Sequence, residues 1–202
     1  MATKYSLTVN NNSQNYGNIC VFQTLPDQPD NFMSLAWFSK AAHCGTSVEF
    51  EWTTDYNFLW TDQGEMKPGV TFKASQVIDA NPADITKNSV AFTKEYGAYR
   101  FAETSKYTKE GTLGIYTDQT VPHGEASVGI GMSGNGTFAV TATPNYNFVF
   151  KPHPRYWVVF GTYQVGEVMD IESMSNAVEI VYDSGVFSRA VDLQNDNTWE
   201  VR

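Results

Sequence analysis

The chain is predicted to be all-β: two pseudo-symmetric tandem β-sandwich-like repeats of about 90 residues, with interlocking end strands. Three observations predict this. Residues 47–60 (SVEFEWTTDYNFLW) match residues 137–150 (TFAVTATPNYNFVF), so that Tyr56-Asn57-Phe58 recurs 90 positions on as Tyr146-Asn147-Phe148. A self-match at such a spacing marks one structural unit used twice. Segments such as SVEFEW, SVAFT and TFAVT alternate apolar with polar or small residues, the period of a half-buried strand, and no stretch sustains the longer period of a helix.

The elements follow in order. Residues 5–9 (YSLTV) read as a strand and align on 99–103, the start of the second repeat. YGNICVF (16–22) pairs with EGTLGIY (110–116), Pro26 with Pro122, and Gly45-Thr46 with Gly136-Thr137. FKASQV (72–77) pairs with FGTYQV (160–165), and NSVAFTKEYGAY (88–99) with NAVEIVYDSGVF (176–187). The offset drifts between 88 and 94, as small loop insertions would make it. From Phe187 a third copy begins and stops after two strands, TWEV (198–201) matching TLGI (112–115). The expected division is therefore 5–98 for the first repeat, 99–187 for the second, and 188–202 for strands completing the second, with one integrated domain as the alternative. Gly, Pro, Asn and Asp punctuate the strands at 10–12, 26–30, 62–64, 68–69, 134–136, 152–154 and 183–185. Residues 40–43 and 171–176 offer at most a turn of helix.

Composition bounds the function. With 202 residues the chain can bury a sizeable core. The formal charge of −9, with no Lys/Arg cluster, would repel nucleic acid or an anionic membrane. No apolar run approaches the ~18–20 residues of a membrane helix. The opening MATKYSLTV reads as a strand rather than a secretory leader, so the expected place is cytoplasmic as synthesised, with a non-signal export route open. Asn11 and Asn135 fit the glycosylation pattern, which reads as coincidence on the expectation that there is no leader. Cys20 and Cys44 are too far apart for a zinc or redox pair, and read as reduced, partly buried thiols.

Several motifs invite chemistry and are weighed against ordinary roles. Gly129-Ile-Gly131-Met-Ser-Gly134 spells a dinucleotide fingerprint, but a strand pattern follows where a helix is required, so the expected role is close backbone approach and no cofactor is expected. Ser133 resembles a nucleophile elbow, again without its helix. His43, His123 and His153 stand at spacings that put no two metal ligands on one element, and no metal is expected. His153 lies in Pro152-His153-Pro154-Arg155-Tyr156-Trp157, which the first repeat does not reproduce. Such asymmetry is expected where one copy has taken on a site. Glu167, Asp170 and Glu172 could pair for acid–base work or hold calcium, although the aligned stretch 78–84 is also acidic and a solvated loop is the simpler reading. Tyr156, Trp157 and Tyr163, with His153 and Arg155, are the expected ligand-binding face, a flat apolar surface edged by hydrogen-bonding groups.

The stretch SVGIGMSGNGTFAV followed by PNYNFVFKPHPRYWVVFGTYQVGEVMDIE, with the opening YSLTVNNNSQNYGNICVFQ and the closing NTWEV, resembles the RhiA family of small bacterial proteins expressed in the rhizosphere. The likeness covers most of the chain. It implies an abundant soluble protein, made under population-density control in some bacteria and associated with host–microbe or surface interaction. No catalytic motif comes with the family, so no active site is carried over.

The expected function is non-enzymatic binding, lectin-like in manner. Aromatic and polar loops would meet a glycan, a small apolar ligand or a protein partner. The alternatives are an enzyme with its site around His153, Glu167 and Asp170, and a structural protein that self-assembles through strand edges, a possible homo-oligomer.

Overall fold

The computed structural model describes residues 3–27 and 29–202; Met1 and Ala2 of the opening segment, and Gln28 within the turn at 26–30, lie outside the described residues. The chain is all-β. Along it run β1 (Lys4–Asn11), β2 (Gly17–Thr24), β3 (Met33–Ser34), β4 (Ala36–Ala42), β5 (Ser47–Thr53), β6 (Tyr56–Thr61), β7 (Gln76–Ala80), β8 (Ser89–Glu95) and β9 (Ala98–Ala102). Then come β10 (Leu113–Thr117), β11 (Ser127–Met132), β12 (Asn135–Thr141), β13 (Asn147–Phe150), β14 (Arg155–Gly161), β15 (Val178–Ile180), β16 (Ser188–Leu193) and β17 (Trp199–Val201). The two places that offered helix divide: 40–42 belongs to β4, and Ile171–Ser173 forms a single 3-10 turn.

Alternation sets which faces are buried. In β1, Leu7, Val9 and Asn11 are buried at every second position, and in β13 Phe148 and Phe150 are. β10 and β11 are buried throughout, because both their faces are covered. Turn chemistry closes the hairpins. Two-residue turns with positive φ at both positions, Tyr96-Gly97 and Ser133-Gly134, join β8 to β9 and β11 to β12. Ser133 is thus a hairpin residue rather than a nucleophile elbow. A Cβ on Gly129 would stand 2.1 Å from the Phe138 carbonyl oxygen, and one on Gly131 2.4 Å from Asn57 Oδ1. The glycine run serves close backbone approach.

Two sandwiches result. The first packs the sheet β17-β16-β1-β5 on the sheet β15-β14-β2-β4. Leu7, Phe50, Trp52 and Val191 face Ile19, Val21, Trp37 and Val158 in its core. The second packs β13-β10-β8-β9 on β3-β12-β11-β6-β7, and Ile115, Phe92, Phe101 and Phe148 face Phe58, Val128, Ile130 and Phe138. Each fully buried Phe contributes about 1.5–3 kcal/mol of apolar transfer free energy. Tyr56 packs against both cores, and Trp37 Nε1 donates to the Met132 carbonyl at 2.9 Å, so the sandwiches share one seam.

Each sandwich draws strands from both halves of the chain. β1 pairs antiparallel with β5 and parallel with β16, as β10 pairs antiparallel with β13 and parallel with β8. β2 pairs with β4 and β14, as β11 pairs with β12 and β6. The hairpins β6–β7 and β14–β15 share a register shifted by 100 positions, Phe58 opposite Ile78 and Val158 opposite Val178. The self-match at about 90 positions set β5 on β12 and β6 on β13, one strand away from this pairing. A strand with its turn is about ten residues long, and all strands share the same two-residue period, so a one-strand slip keeps apolar on apolar. The closing segment 188–202, expected to complete the second repeat, supplies β16 and β17 to the sheet of β1.

Straps cover the outer faces. Met66 and Phe72, between β6 and β7, lie on Leu59 and Ala139. Met169, between β14 and β15, lies on Cys20, Phe22 and Val159. The straps meet where Thr71 bridges Glu167. Both cysteines are free thiols; Cys20 is buried, and burial pushes its thiol well up from its ordinary value, whereas Cys44, expected to be partly buried, is exposed because it lies in the turn after β4.

Candidate functional site

The second sandwich is open at one side, between its edge strands β7 and β9. There a cleft of about 500 Å³ reaches the core. Its floor is made by Phe58 from β6, Ile78 from β7, Val90 from β8 and Phe101 from β9. Phe58, Val90 and Phe101 are buried, and the two phenyl rings meet edge to face at 6.4 Å. Each faces inward for the ordinary reason of strand alternation, so the floor is simply the end of a core that no side chain caps.

The rim is polar. Gln76, at the start of β7, accepts hydrogen bonds at Oε1 from Trp60 Nε1 at 2.9 Å and from the Phe101 backbone N–H at 3.3 Å. Two donors on one oxygen fix the amide's orientation and leave its nitrogen as a donor. Asp79, Lys87 and Glu103 complete the charged part, and none of the three forms an ion pair among the described residues. Ile85 and Tyr107 stand at the mouth, 53% and 64% exposed. Exposed apolar side chains beside an apolar floor make a continuous surface for an apolar body, edged by groups that orient it.

In the first sandwich Arg189 ties a loop across part of the corresponding mouth, and a cleft of about 560 Å³ remains between β15 and β17, lined by Val178 and Trp199. The Ser6 N–H donates to the Phe187 carbonyl, and the Gly114 N–H to the Asn88 carbonyl, both at 2.8 Å. These bonds align β16 with β8, and set Arg189 where the second sandwich has Val90. Arg189 reaches across to the β15–β16 loop: Nε donates to the Val181 carbonyl at 2.9 Å and a terminal nitrogen to Asp183 at 2.5 Å. Val90 is too short for such a span.

The residues singled out from sequence go elsewhere. Tyr156 and Trp157 are neighbours on β14 and therefore point to opposite faces of the sheet. Tyr156 enters the first core, its ring 5.3 Å from Trp52 and 5.8 Å from Tyr182, and burial pushes its hydroxyl well above the usual phenol value. Trp157 lies on the outer face, stacked on Phe22 at 6.3 Å with Nε1 donating to Thr24 Oγ1. Tyr163 sits with Trp157 in the cluster under the second strap, and burial raises its hydroxyl too. Arg155 is exposed, 3.8 Å from Glu179. His153 lines a separate cleft of about 190 Å³ with Leu25 and Phe32. Asp170 lines another, of about 460 Å³, which shares Leu25 and Phe32 with it. Glu167 accepts from the Gln164 N–H at 3.0 Å. The acid–base trio is not assembled, and of the aromatic face only Trp157 and Tyr163 share a side. Among the described residues no three His, Cys, Asp or Glu side chains gather to hold a metal ion, and no helix is long and apolar enough to cross a membrane.

Sequence reasoning passed over Phe58, Gln76, Ile78, Val90 and Phe101 because each reads as an ordinary strand residue. One signal was available: in a register of 99 positions Val90 stands opposite Arg189, a small residue against a large charged one.

The RhiA family model matches residues 2–202. The chain is 37% identical to Protein RhiA of Rhizobium leguminosarum bv. viciae, over 98% of its own length and 86% of that protein. No solved structure matches it. The chain belongs to the RhiA family.

Proposed function

For this member of the RhiA family we propose a non-enzymatic binding role, with a small molecule held in the cleft between β7 and β9. One observation carries the reading: three core side chains and the half-buried Ile78 form an apolar floor that opens to solvent beneath a rim of orienting polar groups. About 500 Å³ falls in the range of small-ligand sites. A small molecule suits this concave cleft better than a flat glycan or protein face. A host–microbe setting belongs to the same proposal, as does a cytoplasmic place of synthesis with export by a non-signal route; lectin-like recognition gives way in it to the small molecule.

The test is a fragment screen on the isotopically labelled full chain, read by amide chemical shifts. Hits are expected to move the amides of Gln76, Ile78, Val90 and Phe101 together. Hits that cluster on β14 around Tyr156 and Trp157, or a screen without hits at the cleft, overturn the reading.

A further inference from the structure

Arg189 lies across one end of the first sandwich, from β16 to the β15–β16 loop. Its aliphatic stem lies on the inward side of β16, in line with the core residues Val191 and Leu193. Its planar cation ends at the loop, on a backbone carbonyl and the Asp183 carboxylate. The side chain is only 22% exposed. At the same register position the second sandwich has Val90, and the mouth is open. The two mouths are built from corresponding strands, so the occupant of one indicates what the other accepts.

The charges agree. Asp79 and Glu103 stand on the rim without an ion-pair partner among the described residues, against the single base Lys87, in a chain of formal charge −9. Carboxylates at a low-dielectric apolar wall attract a cation more strongly than they would in open water. We propose that the cleft between β7 and β9 binds a small alkyl cation, a short aliphatic chain ending in a guanidinium or ammonium group, in the place that Arg189 fills in the first sandwich. The inference rests on the binding reading above and adds the ligand's chemistry.

The experiment titrates the labelled full chain with n-butylguanidinium, n-pentanol, pentanoate and a capped arginine amide, at low and high salt. Butylguanidinium is expected to shift the amides of Ile78, Asp79, Val90 and Phe101, and to bind more weakly in high salt. The double variant Asp79→Asn/Glu103→Gln, which changes only exposed side chains, is expected to bind at least tenfold more weakly. Val90→Arg is expected to abolish binding by filling the mouth from within. Pentanol or pentanoate binding at the cleft as well as the cation does, or an unaffected double variant, overturns the cation inference and leaves the binding reading standing. A capped arginine tenfold tighter than butylguanidinium overturns the free ligand in favour of a partner's arginine. Silence from every probe at these amides overturns inference and reading together.

Discussion

Val90 and Arg189 hold one position in two parallel strand pairs, Val90 beside Ile115 and Arg189 beside Leu7, and only the arginine reaches the loop that follows the neighbouring edge strand. Tyr182 holds the same loop, its hydroxyl donating to the Ser6 carbonyl and its ring packing on Tyr5, Trp52 and Tyr156.

Replacing Arg189 with valine should loosen this loop. The hydrogen bonds to Val181 and Asp183 are lost at a partly solvated site, which costs about 1–2 kcal/mol. Urea denaturation should show a lower midpoint with an unchanged slope. A midpoint equal to that of the parent would mean that Arg189 does not hold the loop.

Phe58 forms the floor of the cleft and is 1% exposed. Phe58→Ala should cost about 3–5 kcal/mol through lost burial and the cavity left behind. Chemical denaturation checks this, and a loss below about 1 kcal/mol would show the floor to be loosely packed.

Two glycines should respond differently to alanine. At Gly129 the new Cβ meets the Phe138 carbonyl oxygen at 2.1 Å, so strand β12 must move and soluble yield should collapse. At Gly45 there is free space but φ is +72°, and the cost should be only about 1 kcal/mol. Comparing thermal midpoints tests the order, which a tolerant Gly129→Ala would reverse.

Alkaline pH should destabilise the fold through Tyr56. Burial, with the neighbouring Tyr5 adding to it, pushes its hydroxyl up to about 12. The folded state favours the neutral phenol, so this stability is complete below the unfolded value of about 10 and is lost as pH rises through about 12. Burial drives Tyr156 and Tyr182 the same way. Urea midpoints should fall between pH 10 and 12, and Tyr56→Phe should flatten part of that fall. A parent chain whose midpoint is level across this window would contradict the burial account.

The interlocked pairing predicts what a cut would do. Lys106 lies in an exposed loop between β9 and β10. Limited trypsin cleavage there should leave two pieces joined through β1–β16, β2–β14, β6–β11 and β8–β10. The pieces should co-elute in native buffer and part only in denaturant. Separation without denaturant would mean that the cross-pairings are weak.

Strands were legible in the residues because a half-buried strand writes its period locally: residues 47–53 and 89–95 could be read without any partner in view. The pairing between them was not, since the period is common to all strands and cannot say which lies beside which. For the same reason Tyr156 and Trp157 read together as one aromatic face, although adjacency on a strand sends them to opposite sides. Chain chemistry alone determined an acidic all-β protein and its family likeness, because charge and alternation are carried residue by residue. The open mouth, the seam at Tyr56 and the use of both chain halves in each sandwich were decided only by tertiary structure. They depend on contacts between residues remote in the chain, such as Leu7 and Arg189, and an arginine matters only once its neighbours have assembled around it.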